Sequence, residues 1–309
     1  MTLRVFSYGG GVQSTAALVL AAQGKIDFKT FLFCNVGDDS ENPATITYVR
    51  DIAMPYAKAH GIELIELHNT HFGEPTTLYQ HLTRPGSKSI GIPVRMAGSG
   101  APGRRSCTAD FKINVVDRWL KQNTVRGHIQ ELKEAVVRRY AFGKLDKETV
   151  LRFMVDIDAF FQEHEPAAHV GLGISLDEIE RVKPNMDPET VAWKVNAFPL
   201  IDEVERPLTR QDCMNVIAGA GLPIPAKSAC VFCPFHTLAR WQEMRQHEPE
   251  SFWKAAGLEK FLNERRASLG MDPVWFTRLL KPLDQATHDY GQRGLFESFD
   301  GCEEGYCGL

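Results

Sequence analysis

Two sets of residues in this chain have the types and spacing to do chemistry. The first is the run Ser7-Tyr8-Gly9-Gly10-Gly11-Val12-Gln13-Ser14-Thr15. Adjacent glycines let a backbone turn through positive φ and bring its N–H groups close to an anion, because no Cβ intervenes. Ser14 and Thr15 add hydroxyl donors, and a helix beginning at the same place would point its positive end at the anion. The bland reading is a tight β–α turn that happens to be rich in glycine. The second set is the seven cysteines, Cys34, Cys107, Cys213, Cys230, Cys233, Cys302 and Cys307. Cys230-Val231-Phe232-Cys233-Pro234 is a CxxC, whose two thiolates can reach one metal centre as in zinc and iron–sulfur sites. It is half a site and needs further ligands.

Elements must place these residues. Arg4 to Tyr8 reads as a short buried strand, and Gln13 to Ala22 as a helix ending near Gly24. A second strand fits Lys29 to Cys34, a helix Thr45 to His60 stopped by Gly61, and a third strand Glu63 to Leu67. Strand–helix–strand–helix–strand with short joints implies right-handed crossovers and an α/β fold with a parallel twisted sheet flanked by helices. Phe72 to Arg105 is rich in Gly, Pro and Ser and reads as a long loop or lid. Helical patterns return at about Thr108 to Leu120 and through much of Gln130 to Glu163. Val170 to Ser175 and Val195 to Leu200 read as further strands, and Ser175 with Glu178 as a capping box opening a helix. The expected organisation is an α/β domain over 1–205, with a helical insertion at about 124–165. A helical, Cys-bearing C-terminal region covers 206–309.

Composition narrows the function classes. The chain has 309 residues, 43% hydrophobic and 24% charged, as in an ordinary soluble globular protein. No apolar run approaches the roughly 20 residues of a membrane span, and the first residues lack a signal-peptide pattern, so a cytoplasmic protein is expected. An odd cysteine count then favours metal or thiol chemistry over a disulfide framework. A net charge of −4 argues against coating nucleic acid by bulk charge, though not against a local basic groove. Arg104, Arg105, Lys112 and Arg210 are candidates for such an anion-binding face. The glycine run is not a Walker A loop, since no Lys follows its last glycine. It is not a dinucleotide fingerprint either, because its glycines are consecutive.

Ser7 to Ser14 resembles the pyrophosphate loop of the N-type ATP pyrophosphatases, the adenine nucleotide alpha-hydrolase (HUP-like) group that includes phosphoadenylylsulfate reductases. Their Ser-Gly-Gly-x-Asp-Ser aligns with Gly9 to Ser14, with Gly9 for the Ser and Gln13 for the Asp. The resemblance implies that ATP with Mg²⁺ is held by Ser7, Gly9, Gly10, Gly11, Gln13, Ser14 and Thr15. Phe33-Cys34-Asn35-Val36-Gly37-Asp38-Asp39 is similar to the family's second strand end. That implies Asn35 and Gly37 beside base or ribose, and Asp38 near ribose or metal. An acidic turn is also simply a helix cap, here for a helix starting near Asn42.

In the reductase-like and DNA-phosphorothioation branches, a Cys-x-x-x-Lys element and a downstream CxxC supply ligands of a 4Fe–4S cluster. Cys107, Lys112, Cys230 and Cys233 resemble that arrangement in order, with four residues rather than three between Cys107 and Lys112, although Ser106 stands where the assimilatory reductases have a second Cys. The resemblance implies metal ligation by Cys107, Cys230 and Cys233, with a fourth ligand from the tail, Cys302 in preference to Cys307, and Lys112 catalytic; structural zinc remains the alternative. Tyr306-Cys307-Gly308-Leu309 is similar to the reductases' nucleophilic Cys-Gly-Leu, which makes Cys307 either a sulfur carrier or an inert terminal thiol. Gly173-Ile174 with Glu178 and Arg181 resembles an element near the family's active site, implying that Arg181 binds phosphate. Cys34 and Cys213 read as buried small hydrophobes. The expected activity is adenylation of an acceptor with pyrophosphate release, preparing sulfur incorporation, with nucleic acid as the favoured acceptor. A sulfur donor such as a cysteine desulfurase, or subunits of a modification complex, would be partners. Reduction of adenylyl sulfate through Cys307, and a non-catalytic nucleotide sensor, are the alternatives.

Overall fold

A computed structural model describes residues 2–71, 73–163, 168–182 and 194–292. The chain forms two compact units, each discontinuous in sequence. The first comprises Met1–Phe33, Thr47–Leu67 and Asn114–Ala226; the second comprises Cys34–Ile46, His68–Ile113 and Lys227–Leu309.

The strands are β1 (Leu3–Tyr8), β2 (Thr30–Asn35), β3 (Glu63–His68), β4 (Thr70–His71), β5 (Glu74–Pro75), β6 (Arg95–Met96), β7 (Ala168–Leu172), β8 (Lys194–Ala197) and β9 (Val274–Trp275). Five of them make the parallel sheet expected from the sequence, in the order β3-β2-β1-β7-β8. Val5, Phe6, Phe31 and Leu32 have no exposed surface, as befits central strands covered on both faces. β1 lies between β2 and β7, with Phe6 opposite Phe31 and Gly171. The rings of Phe6 and Phe31 stack at 4.9 Å, and Phe28 meets Phe6 edge-on at 5.7 Å. A Cβ at position 171 would stand 2.7 Å from Phe6 and 2.9 Å from Phe28, so only glycine fits beside these rings.

Helix α1 (Val12–Ala22) follows β1 and is apolar all round; Ala16 to Ala21 are buried, and it packs along the helix Arg210–Gly219. The expected second helix is α2 (Pro43–Tyr48), a π-helical turn (Val49–Ala53) and α3 (Met54–Ala59) in succession. Later in the chain come α4 (Leu78–Thr83), α5 (Ser106–Thr108), α6 (Asn114–Asn123), α7 (Val125–Ala141) and α8 (Lys147–Glu163). The helical insertion is thus a hairpin of α7 and α8, with α7 also packed on α6. β8 stops at Ala197, where a strand to Leu200 was expected, because Pro199 opens a short helix, Pro199–Asp202.

The second unit has its own core, built on Val36, Leu78, Leu82, Phe111, Phe232, Trp241, Phe252 and Phe276, with Cys107 and Cys230 packed against it. The stretch expected to be loop, 72–105, contains α4. Thr77 caps that helix by accepting from the N–H of Gln80, whose side chain accepts from the N–H of Thr77. Buried Glu259 in the helix Pro249–Ser268 accepts the backbone N–H groups of Phe276 and Leu283, both at 2.7 Å. Burial raises its carboxyl to about 7, although those two hydrogen bonds pull the other way.

Candidate functional site

Gly9, Gly10 and Gly11 join β1 directly to α1. Gly10 takes a left-handed φ of 74°, which glycine adopts without strain. A Cβ built at Gly9 or Gly11 would meet nothing within 4 Å. The bend therefore presents bare backbone to open space, at a helix N-terminus whose first N–H groups have no intrahelical acceptor. Ser14 closes the bend, because its hydroxyl accepts from the N–H of Gly11 at 3.2 Å and donates to the Gly11 carbonyl at 3.0 Å. Thr15 is fully buried and shares a hydrogen bond of 2.9 Å with the Tyr8 hydroxyl. Burial pushes the Tyr8 hydroxyl's pKa well above its ordinary value, so it stays neutral. In this structure both side chains fasten the loop, and at Gly9 and Gly11 no side chain stands between the backbone and open space.

Behind the loop lies the turn after β7. A Cβ at Gly173 would stand 3.2 Å from the Ser14 nitrogen and 3.4 Å from Gln13, so the absence of a side chain permits the close approach. Ser175 and Glu178 do not form the expected capping box: the Ser175 side chain makes no cap bond, and the segment Leu176–Arg181 is a 3₁₀ turn. Both side chains instead face Gln13, whose Nε2 lies 3.4 Å from Ser175 Oγ and from Glu178 Oε2. Arg181, read from the sequence as a phosphate ligand, is buried, with Nη1 2.7 Å from Glu178 Oε1. Arg210 closes the group from the other side, donating from Nη1 to Gln13 Oε1 at 3.2 Å. Its own backbone N–H is held by Asp177. Of the four basic residues considered as one face, Arg210 falls in the first unit and Arg104, Arg105 and Lys112 in the second.

In the second unit, buried Asn35 accepts the N–H of Gly37 at 2.8 Å and donates to exposed Asp38 at 2.7 Å. Gly37 has φ 120°, and a Cβ there would fall 2.5 Å from that of Thr77. Asp38 is therefore tied to Asn35; the side chain capping the following helix is Asn42, which accepts from Ala44.

The CxxC turn is organised by backbone hydrogen bonds, from Cys233 N–H to Cys230 O at 3.1 Å and from Val231 N–H to Ser40 O at 2.9 Å. His236, a residue the sequence reading missed, donates from Nε2 to Cys230 O at 2.9 Å and stands edge-on to Trp241. Burial lowers its pKa to about 4, so the ring is neutral and the Nε2 proton is assigned by the carbonyl it faces. The spacing Cys230-x₂-Cys233-x₂-His236 was the available signal. Cys107 donates its N–H to Gly91 O at 2.7 Å, and burial raises its thiol pKa against the opposing pull of Arg105 and Lys112. Cys34 is buried, as expected; its thiol approaches Lys112 O at 3.6 Å, and burial pushes it up to about 12. Buried Glu41 is likewise raised by burial, with Lys112 opposing. Lys112 is thus the cation that Cys34, Cys107 and Glu41 share. Cys213 is buried in its helix, as expected, and burial pushes it up to about 12. Cys302 and Cys307 lie outside the described residues. Among the described residues, no three Cys, His, Asp or Glu side chains converge as a metal site, so Cys107, Cys230 and Cys233 are not gathered into a ready ligand set.

No family model, no curated protein and no solved structure matches this chain. The sheet order and its flanking helices are compatible with a Rossmann- or HUP-like fold. No helix among the described residues is long and apolar enough to cross a membrane.

Proposed function

We propose that the chain is an ATP pyrophosphatase that adenylates an acceptor. The observation that carries this reading is the open glycine bend between β1 and the N-terminus of α1, where side-chain positions at Gly9 and Gly11 are unfilled. An acceptor oxygen attacks the α-phosphorus; the bond from that phosphorus to the β-bridging oxygen breaks, and pyrophosphate departs. Charge accumulates on the leaving oxygens, and backbone N–H donors of Gly9, Gly10, Val12 and Gln13 would stabilise it, with the Gly11 N–H held by Ser14. Mg²⁺, carried in with the nucleotide, would supply further neutralisation. Ser14 and Thr15 keep the donors aimed by locking the bend from within.

The adenylated acceptor is then the substrate for sulfur entry, with nucleic acid the proposed acceptor class and a donor such as a cysteine desulfurase supplying sulfur. Cys107, Cys230 and Cys233 are all thiol donors, a composition that suits iron–sulfur or zinc equally. The test is product analysis with ATP and candidate acceptors. Pyrophosphate and an AMP adduct are expected; ADP with inorganic phosphate would reject attack at the α-phosphorus. Tight ATP binding without turnover, with partners and reductant present, would make the chain a nucleotide sensor.

A further inference from the structure

We infer that Arg210 is the charge-reading residue of the glycine loop, held beside it by the neutral amide of Gln13, and that it selects nucleoside polyphosphates over nucleosides with little or no phosphate. This inference rests on the nucleotide-binding reading above and adds to it the group that sets the substrate class.

The argument is one of charge accounting around Gln13. One guanidinium, that of Arg210, and one carboxylate, that of Glu178, meet this side chain, and a second guanidinium, that of Arg181, pairs with the same carboxylate. Arg181 is buried and ion-paired with Glu178 at 2.7 Å, so its charge is already matched. Arg210 is exposed, and among the described residues its guanidinium bonds no carboxylate; its contact is the Gln13 carbonyl oxygen at 3.2 Å. The neighbouring carboxylate, Asp177, takes the backbone N–H of Arg210 instead, which fixes the base of the side chain at the first turn of its helix. An amide oxygen orients a guanidinium without cancelling its charge. A full positive charge therefore stands one hydrogen bond from the first turn of α1.

The same geometry explains why position 13 is Gln. A carboxylate there would lie about as close to Glu178 as the present amide does, at 3.4 Å, and like charges at that range repel strongly. It would also form a full ion pair with Arg210 and remove the charge from the loop. The amide avoids both: its nitrogen donates to Ser175 and Glu178 while its oxygen accepts from Arg210. An arriving polyphosphate then displaces Gln13 as the partner of Arg210, exchanging a neutral acceptor for a charged one, a stronger class of hydrogen bond.

The experiment measures dissociation constants of ATP, AMP and adenosine by calorimetry on the full chain and on Arg210→Gln, Arg210→Lys and Gln13→Glu. Arg210→Gln is expected to weaken ATP about 10- to 100-fold and leave adenosine within about twofold. Gln13→Glu is expected to weaken ATP in the same direction, and Arg210→Lys to retain most of the ATP affinity. ATP affinity within about threefold of wild type in Arg210→Gln would overturn the assignment while leaving nucleotide binding intact. Equal losses for ATP and adenosine would overturn it too, since charge would not be what Arg210 reads. Wild-type protein that binds none of the three ligands would remove the nucleotide reading and this inference together.

Discussion

The glycine bend of the first unit and the cysteine-bearing segments of the second are built on opposite plans. At the bend, chemistry is assigned to backbone, side chains serve as fasteners, and the space in front is empty. Around the cysteines, chemistry is assigned to side chains, and these are half-buried or buried, with burial raising the thiol pKa values of Cys34 and Cys107. Peptide N–H groups need no change of protonation to meet an anion, so the bend is ready as it stands. A thiol must lose its proton before it can attack or ligate, and burial opposes that loss. On the proposed reading the first region is preorganised, whereas ionising Cys34 or Cys107 in the second would need more positive charge nearby than Lys112 supplies.

The largest effect expected from this contrast is on Gly9→Val. The new side chain enters space with no neighbour within 4 Å, so the melting temperature should stay within about 3 °C of wild type. Filling that space should nonetheless lower ATP affinity at least 100-fold, as an order-of-magnitude expectation for blocking close backbone approach. Unchanged ATP binding would show that the bare backbone is not the binding surface.

Next comes the buried carboxyl of Glu259. Its pKa is raised from 4.5 to about 7 in the folded state, so the native chain holds a proton that the unfolded chain releases. Stability should therefore fall as pH rises from about 4.5 through about 7, by up to about 3 kcal/mol for a shift of this size. Urea titrations of wild type and Glu259→Gln at pH 5 and pH 8 check this: the variant should lose most of the difference. Identical pH dependence in both would break the account.

The smallest effect concerns Lys112, whose charge lowers the thiol pKa of Cys107 against the dominant effect of burial. Lys112→Met should slow Cys107 alkylation at pH 8 by roughly threefold, as expected for a modest electrostatic contribution at partial burial. Faster alkylation in the variant would mean that Lys112 shields this thiol.

Much of the first unit was legible in the sequence, because β1 and β2 are largely apolar, β3 carries Leu64, Ile65 and Leu67, and the glycine run falls between a strand and a helix. Helix α4 was not, although Thr77-x-x-Gln80 is a capping sequence; the surrounding Gly, Pro and Ser masked six helical residues. Ser175 and Glu178 carry the reverse lesson. Their spacing suits a capping box, but the same polar atoms also suit Gln13, and only the approach of Gly173 to the first turn of α1 decides between them. Arg210 lies 197 positions from Gln13, a separation that no local pattern spans. His236 continues the spacing of the CxxC by three residues, but a lone histidine after a CxxC has no distinguishing pattern until the fold turns it back onto the Cys230 carbonyl.

Gly171 has a consequence for strand alignment. Two phenyl rings occupy the place where its side chain would be, so β7 has one notch that accepts them. Sliding β7 by a single residue would bring Val170 or Leu172 onto the rings and jam the pairing with β1. A missing methyl group in the middle of the sheet therefore acts as a keyway. It sets how far Gly173 reaches along the neighbouring strand, and hence what stands at the back of the glycine bend.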